Sequence, residues 1–370
     1  MKIAIIGTRG IPNRYGGFEQ FAEELGTSLV KNGHEVIVFN PRDHSYAEAE
    51  FNGVKIIRQK ENLQFIPALS TLLYDYFCLK AALKLNPDIL FSCGYSSALF
   101  LRVLKNPEKV PVIIHMDGME WQREKWGWIA RIFLKWNEKL AIRWADGQIV
   151  DHPEILKYFL TKYEVKTKYI PYGANIVANQ TEEGRKKSED FEFLDKKKEY
   201  FLVISRLEPE NHIEIILQAW LNSKQDHLMV IVGDTGTKHG NFLLKKYARF
   251  QNISFLGSIF DKNILDSLRR NCKAYIHGHS VGGTNPSLLE AMAMSCFIFA
   301  HDNIYNRNVL GKNAIFFSDV TMLADFFSSI NRHMDYKKKF SKRNHLKIQK
   351  EYNWEKVTKQ YIAFFNSFKV

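Results

Sequence analysis

The sequence lacks the marks of a disulfide-rich, membrane-spanning or low-complexity protein. Its four cysteines stand far apart and form no Cys-x-x-Cys pair, which indicates neither a disulfide framework nor a zinc site. The apolar run at residues 2–7 is too short for a signal peptide, and no stretch approaches the ~18 uncharged apolar residues of a spanning helix. Ordinary contents of glycine and proline exclude collagen and wholesale disorder. We therefore expect a folded protein of the reduced cytosol.

Acidic residues are too few to balance the basic ones. The 52 Lys and Arg residues exceed the 40 Asp and Glu residues, so the net charge is +12. This excess favours an anionic partner such as phosphate, lipid headgroups or nucleic acid, without choosing among them. A length of 370 residues, against the usual ~100–200 per domain, predicts two domains.

The hydrophobic pattern predicts a parallel α/β architecture in both halves. Residues 2–7 and 35–39 have the pattern of buried strands, separated by a glycine-containing loop and a helix that stops at Gly33. Residues 181–199 are polar, and a strand at 200–204 then starts the same order again. We predict two Rossmann-like domains, residues 1–178 and 179–350, that face each other across a cleft. A C-terminal helix within 351–370 is expected to pack back on the first domain.

The loop at residues 277–291 is the richest in ligand chemistry. Ligands of open α/β sheets bind beyond the carboxyl ends of the strands, where loops present backbone N–H groups and helix N-termini. Here Gly282 and Gly283 precede Asn285, a good N-cap, and Pro286, a good first helical residue. This order fits a phosphate-binding helix N-terminus. A glycine-rich turn that is capped only for stability is the alternative.

Charged residues and a second pair of glycines add to this candidate site. Arg206 follows the strand at 200–204, where its guanidinium suits diphosphate oxygens or a structural salt bridge. Glu290 lies on an otherwise apolar helical run, so its carboxylate needs sugar hydroxyls or a neighbouring arginine or amide as partner. Gly16 and Gly17 precede the first helix, whose positive end can face the same anion.

Carboxylates beside an aromatic ring follow a predicted strand at 110–115. Asp117, Glu120 and Trp121 suit sugar hydroxyls and stacking on a pyranose face, and Asp151 ends another strand on the same edge. Either aspartate could orient or deprotonate an acceptor hydroxyl, with capping of the following helix as the alternative for each. A metal site at residues 277–279 is not expected, because the two histidines there have no third ligand at suitable spacing.

A basic stripe runs beside an apolar face within residues 129–143. Amphipathic helices of this kind lie on anionic bilayers, although a helix packed on its own domain gives the same pattern. The stripe consists of Arg131, Lys135, Lys139 and Arg143, and the apolar face consists of Ile129, Ile132, Phe133, Trp136 and Leu140.

Several of these segments, taken in order, resemble glycosyltransferase family 4, whose members have the GT-B fold. The resemblance covers almost the whole chain, and its longest motifs look like those of the bacterial rhamnosyltransferase branch. The motifs are residues 7–12, 14–19, 117–121, 206–211 and 282–290, with the sequences GTRGIP, RYGGFE, DGMEW, RLEPEN and GGTNPSLLE.

The resemblance implies a retaining enzyme that moves L-rhamnose from dTDP-rhamnose onto a lipid-linked saccharide in cell-surface polysaccharide synthesis. It makes the first domain the acceptor side and the second the nucleotide-sugar domain, with no metal, no other cofactor and no nucleic acid. It also implies a cytoplasmic enzyme, peripheral on the anionic inner face of the plasma membrane. The implied donor contacts are Gly16, Gly17, Arg206, Asn211, Gly257, Gly283, Thr284, Asn285 and Glu290, the acceptor contacts are Asp117, Glu120 and Trp121, and the catalytic candidates are Arg206, Glu290, Asp117 and Asp151.

Two positions depart from the wider family pattern. Asn211 stands where the family has a lysine for the diphosphate, and Gly282 stands where it has a glutamate for the donor sugar. We interpret both as a change of donor. A transferase that uses a UDP-sugar and a catalytically silent sugar-nucleotide-binding module are the alternatives. A dinucleotide-dependent oxidoreductase is disfavoured, because residues 7–12 lack the third glycine of G-x-G-x-x-G.

Overall fold

The computed structural model describes residues 1–59, 67–96, 98–104, 109–123, 126–176 and 199–369. It divides into two compact units, the first comprising Met1–Tyr172 with Trp354–Val370 and the second Gly173–Asn353. The predicted boundary at 178/179 and almost all of the polar stretch at 181–199 lie outside the described residues. The observed division falls at 172/173.

The first unit is an eight-stranded sheet with helices between the strands. Its core strands are continuous apolar runs because both faces of the sheet are covered. The strands are β1 (Lys2–Ile6), β2 (Glu35–Asn40), β3 (Glu50–Phe51), β4 (Val54–Arg58), β5 (Ile89–Cys93), β6 (Val112–His115), β7 (Gly147–Val150) and β8 (Lys168–Tyr169), and the helices are α1 (Gly17–Lys31), α2 (Pro67–Lys84), α3 (Leu99–Val103), α4 (Trp128–Trp144) and α5 (Pro153–Tyr163).

The strand order of this sheet is β3-β4-β2-β1-β5-β6-β7-β8. All neighbours are parallel except β3 and β4, which form an antiparallel pair that the sequence pattern did not indicate. In register, Ile3 pairs with Val36 of β2 and with Ile89 of β5. The carboxyl ends of β1, β6 and β7 therefore lie along one edge of the sheet.

The second unit repeats the same architecture with six parallel strands in the order β11-β10-β9-β12-β13-β14. Its buried core includes Phe201, Trp220 and Phe327, whose rings contact one another. The strands are β9 (Tyr200–Ile204), β10 (Leu228–Val232), β11 (Ile253–Phe255), β12 (Ala274–His277), β13 (Ile298–His301) and β14 (Ile315–Phe317), and the helices are α6 (Ile213–Asn222), α7 (Lys238–Tyr247), α8 (Lys262–Asn271), α9 (Pro286–Ala293), α10 (Ile304–Leu310), α11 (Val320–Ser328) and α12 (Ile330–Glu351).

The chain returns to the first unit in its last helix, α13 (Trp354–Asn366). Phe21 of α1 contacts the rings of Trp354 and Tyr361 at centroid distances of 5.9 and 5.6 Å. Thr358 Oγ1 donates a hydrogen bond of 2.9 Å to Ser28 Oγ. Within the described ranges, no helix is long and apolar enough to cross a membrane.

Candidate functional site

The carboxyl edge of the second sheet joins the ends of β9 and β12, which are neighbouring strands. As predicted, α9 begins at Pro286, and Asn285 caps it by accepting a hydrogen bond of 2.9 Å from the Ser287 N–H. Ser287 Oγ donates to the carbonyl of Ile204 at 3.1 Å, and Tyr275 Oη lies 2.7 Å from the same hydroxyl. The first turn of α9 is therefore fixed to the end of β9, two residues before Arg206.

Asn211 is committed to holding this edge together. Its Nδ2 donates to the carbonyl of Arg206 at 2.6 Å, and its Oδ1 lies 2.7 Å from His279 Nδ1. A Cβ at Gly278 would overlap the Asn211 carbonyl oxygen, so only glycine allows this close approach. Asn211 thus positions the Arg206 loop and is largely buried, and the donor contact that the resemblance implies stays a prediction.

Glu290 forms an ion pair with Arg269, the alternative that its apolar surroundings had left open. The Arg269 side chain is only 1% exposed and also reaches Asp266 at 3.5 Å and Ser287 Oγ at 3.3 Å. Burial alone would lower the pKa of Arg269, but the charge of Glu290 holds that pKa above its ordinary value. One partner of the Glu290 carboxylate is therefore a protein cation, and the ribose contact stays a prediction.

The remaining candidates of this unit lie in loops. Gly257 has a φ of +71° and Gly282 a φ of +118°, both in the region that favours glycine. Thr284 is buried just before α9.

Histidines also gather at this edge. The rings of His212 and His301 stack at 4.2 Å. Burial lowers the pKa of His277 to about 3, so that imidazole is neutral at pH 7. Within the described part of the chain, no group of three or more His, Cys, Asp or Glu side chains is arranged to hold a metal.

The carboxyl edge of the first sheet contains the loop at residues 8–17 and the start of α1. Gly16 is the N-cap of α1, but its N–H already donates to Asn13 Oδ1 at 3.1 Å. The N–H of Arg9 likewise donates to Glu19 Oε1 at 2.6 Å. The Gly16 N–H thus has a partner within its own loop, and contact of Gly16 and Gly17 with an anion stays a prediction.

The carboxylates after β6 are compensated by Arg123. Its Nε lies 2.5 Å from Glu120 Oε2, and its Nη2 lies 3.9 Å from Asp117 Oδ2. Glu120 Oε1 also accepts a hydrogen bond of 3.0 Å from the indole N–H of Trp126. Both carboxylates thus have a cation beside them, and Glu120 fixes its own loop in addition to any acceptor contact.

Trp121 is held by a buried carboxylate on α4, and its predicted stacking on a sugar stays a prediction. Its indole N–H donates to Glu138 Oε2 at 3.1 Å. The ammonium of Lys135 lies 4.1 Å from the centre of the indole ring, and that of Lys162 lies 5.6 Å from it. Two ammonium groups thus lie near this indole ring. Glu138 also accepts from the hydroxyls of Tyr158 and Tyr163, at 2.7 and 2.5 Å.

Asp151 and Asp117 lie at the same edge. Tyr172 is buried, and its pKa is raised by burial first and then by the charges of these two aspartates. Capping of α5 falls to His152, whose ring accepts from the Glu154 N–H at 3.1 Å, so Asp151 does not serve as that cap.

Two residues at this edge were missed by the sequence reasoning. His115 ends β6, and its ring is fully buried against Phe18 and Tyr172. Its Nδ1 accepts from the Asp117 N–H at 3.1 Å, and its Nε2 has no hydrogen-bond partner in the described part of the chain. Burial lowers its pKa to about 3, so the ring is neutral and Nε2 carries the hydrogen. A polar residue that directly ends a strand is the signal that could have identified it.

Asp75 of α2 is the second residue that the sequence reasoning missed. Burial raises its pKa from 3.8 to about 7, against the opposing charge of Arg9. Ser96 Oγ donates to it at 3.3 Å. The helical pattern around Asp75 did not indicate this raised pKa, because the neighbouring side chains of Arg9 and Ser96 come from the loops after β1 and β5.

Helix α4 presents an apolar face to solvent. Trp128, Ile129, Ile132 and Trp136 are 72%, 66%, 59% and 50% exposed. The helix packs on its unit through other residues, Leu134, Asn137, Glu138 and Ala141. The predicted apolar face is thus largely uncovered, and Lys135, Lys139 and Arg143 beside it are exposed as well.

Comparisons with known proteins agree with this architecture. Residues 1–175 match a family model described as a domain of unknown function (DUF1972), and residues 184–345 match the model for glycosyl transferases group 1. No curated protein matches the chain significantly.

Solved structures match over nearly the full length. Sucrose-phosphate synthase from Thermosynechococcus elongatus is 18% identical, with a TM-score of 0.80 over 99% of this chain and 98% of the synthase. HepE from Anabaena, in complex with UDP-glucose, is 13% identical, with a TM-score of 0.76 over 99% of this chain and all of HepE. These likenesses confirm the predicted pair of α/β domains and the GT-B fold. The match at residues 184–345 shows a glycosyl transferases group 1 domain in this part of the chain.

Proposed function

We propose that this protein is a glycosyltransferase that transfers L-rhamnose from dTDP-rhamnose onto a lipid-linked saccharide, with retention of anomeric configuration. A nucleotide-sugar donor is supported by HepE, which shares the fold and was solved with UDP-glucose. The rhamnosyl donor and the polyprenyl-linked acceptor rest on the motifs at residues 7–19, 117–121 and 282–290. A UDP-sugar is the second candidate donor, favoured by the same HepE complex.

One observation carries the proposal: the bond between Ser287 Oγ and the Ile204 carbonyl ties the N-terminus of α9 to the strand end that leads to Arg206. A guanidinium and a helix N-terminus on one sheet edge offer positive charge and N–H donors to the same anion. A departing nucleoside diphosphate is such an anion. Arg206 therefore stabilises the leaving group, while Asn211 and Asn285 fix the loops around it.

In the proposed reaction the acceptor hydroxyl attacks the face that the diphosphate leaves. A leaving phosphate oxygen takes the hydroxyl proton, so stabilisation of the departing charge is the main catalytic task. Arg206 and the α9 N-terminus supply that positive charge, and we propose that no metal is required. Activity retained in excess chelator is the expected result. On the first unit, Asp117 and Asp151 are the groups proposed to orient the acceptor hydroxyl.

The decisive site variant is Arg206→Ala. Loss of one donor to a developing oxyanion typically costs ~3–4 kcal/mol, so we expect transfer to fall by at least about a hundredfold. Arg249→Ala, an exposed arginine on the same unit, is the matched control and should retain normal turnover. Transfer rates with a labelled donor measure both. Near-normal turnover of Arg206→Ala would remove this residue from the site.

We also propose that the enzyme reaches its acceptor at an anionic bilayer, on the inner face of the plasma membrane. The exposed apolar face of α4, with the basic residues beside it, is the surface proposed to contact lipid. Tryptophan and isoleucine enter the interface, while lysine and arginine meet anionic headgroups.

A further inference from the structure

We propose that the second unit has a separate phosphate-binding groove on α12, away from the edge that holds Arg206. The groove is open to solvent and has a volume of about 620 Å³. Its lining combines the apolar side chains of Met334 and Leu346 with the polar ones of Ser295, Lys337, Lys338, Ser341, Lys342 and His345. Ser295 directly precedes the segment that enters β13, so the groove lies at the amino ends of the strands. The proposed transfer reaction does not use this groove.

The lining is built from one face of α12. Ser341 and Lys342 lie three and four residues after Lys338, and His345 lies three residues after Lys342, which puts all four on one side of the helix. The left-handed backbone of Ser295 (φ +58°) brings the chain from α9 back toward this face. Seven helical residues and one loop therefore converge on the same space.

Hydrogen bonds fix the floor of the groove. Ser341 Oγ donates to the Cys296 carbonyl at 3.2 Å, and His345 Nδ1 lies 3.0 Å from the Ala293 carbonyl. Lys337 Nζ donates to the carbonyl of Lys273 at 3.4 Å. Each bond joins α12 to chain that leads into β12 or β13, so the helix face is held in place before any ligand arrives.

The charge of the groove is uncompensated. No acidic residue lines it, and no carboxylate in the described part of the chain lies within 4 Å of the ammonium groups of Lys337, Lys338 or Lys342. Lys273 nearby shows the contrast, because its ammonium pairs with Glu199 at 2.5 Å. Three like charges that face one cavity raise the local concentration of anions.

Ammonium groups and hydroxyls at this density fit a phosphate monoester or diphosphate. Small-ligand sites typically enclose ~300–1,000 Å³, so a phosphorylated metabolite fits the groove. A phospholipid headgroup offers the same phosphate chemistry, and the two sources can be separated by experiment.

The test is hydrogen exchange of the full chain with inorganic pyrophosphate as the probe. We expect pyrophosphate to slow exchange in peptides from 330–351, independently of any effect at 277–293. The double variant Lys338→Glu with Lys342→Glu should require at least about tenfold more pyrophosphate for the same protection, since charge-assisted bonds are lost. The matched control, Lys339→Glu with Arg343→Glu, changes two exposed charges of the same helix outside the groove and should behave as wild type.

If both double variants lose the protection by pyrophosphate equally, the effect comes from diffuse surface charge and the proposal is overturned. Absence of protection in the wild type would also overturn it. A second arm measures sedimentation with phosphatidylglycerol vesicles. If Lys338→Glu with Lys342→Glu loses only the protection by pyrophosphate, the groove is assigned to a soluble phosphate. If the same variant loses both that protection and the binding to vesicles, the groove is assigned to a phospholipid headgroup. Loss of vesicle binding with pyrophosphate protection unchanged would contradict a phosphate site. Donor turnover is measured beside both arms, so the proposed transfer fails or succeeds separately.

Discussion

Arg269 carries its charge in the interior of the second unit, where its guanidinium contacts Glu290, Asp266 and Ser287. Removal of one partner from such a group leaves the other charges buried without compensation. Arg269 is therefore a positioning residue for α9, since two of its three contacts lie on that helix.

We predict that Arg269→Ala lowers the free energy of unfolding of the second unit by about 3–5 kcal/mol, the usual cost of a broken buried ion pair. Arg269→Lys keeps the charge and should cost less. Native-state hydrogen exchange of peptides from 262–293 measures both variants, with Arg249→Ala as control. If Arg269→Ala lowers the free energy of unfolding no more than Arg249→Ala does, the position of Glu290 does not depend on this ion pair.

Asp75 predicts a pH dependence of the first unit. Its folded-state pKa of about 7 lies above the ordinary 3.8, so the folded state holds the proton more tightly than the unfolded state. Its contribution to stability is fully present below about pH 4 and is lost as the pH rises through about 7, with a slope of at most about 1.4 kcal/mol per pH unit.

Asp75→Asn removes this ionisation, so the variant should gain stability relative to wild type between pH 5 and pH 8. Urea unfolding at both pH values measures the gain. Tryptophan fluorescence follows the first unit in this experiment, because six of the seven tryptophans belong to it. An unchanged difference between variant and wild type at the two pH values would show that Asp75 does not titrate in this window.

Single side chains also mark where sequence reasoning succeeds. Asn285 and Pro286 predicted the start of α9 because capping is a local property of consecutive residues. The environment of Trp121 was not predictable, since Glu138, Lys135 and Lys162 approach it only through the packing of α4 and α5. For Glu290 the need for a partner followed from its apolar neighbours, but the identity of Arg269 required the fold.

At the scale of elements, the exposed apolar face of α4 is the surface that we propose contacts a membrane. We predict that the wild type sediments with anionic vesicles at low salt and loses this binding as salt screens the charges. Lys135→Glu with Lys139→Glu should weaken binding to anionic vesicles, since each basic residue contributes on the order of 1 kcal/mol near such a surface.

Trp128→Ala with Trp136→Ala should weaken binding to anionic vesicles at any salt concentration by removing the apolar contact. Lys356→Glu with Lys359→Glu, two exposed lysines on α13, is the charge-matched control. Equal binding by wild type and all three double variants would leave α4 as a solvated face, and the acceptor would be reached by another route.

The positions of several strands follow closely from the pattern of apolar residues. The limits of β1, β2 and β9 agree to within one residue with the predicted strands at 2–7, 35–39 and 200–204, because buried parallel strands are continuous apolar runs. The antiparallel pair of β3 and β4 was not predicted, since its strands are short and partly exposed. The sequence did not decide between a membrane surface and packing on the domain for α4, because amphipathicity does not tell which side of a helix is covered.

At the scale of the whole molecule, two α/β units carry chemically different edges. The second unit brings Arg206 and the capped α9 to one sheet edge, with a matching family model for glycosyl transferases group 1. The first unit brings carboxylates after β6 and β7 to its own edge and leaves the α4 face exposed. The proposed donor and acceptor roles follow this division.

The most direct test of the proposed function is a donor screen with the purified full chain. The acceptor is a polyprenyl-diphosphate saccharide in anionic vesicles, and labelled dTDP-rhamnose, UDP-glucose and UDP-N-acetylglucosamine are offered separately. We predict that label passes from dTDP-rhamnose to the lipid with retained anomeric configuration, and that Arg206→Ala loses this transfer while Arg249→Ala keeps it. Transfer from a UDP-sugar with none from dTDP-rhamnose would contradict the account.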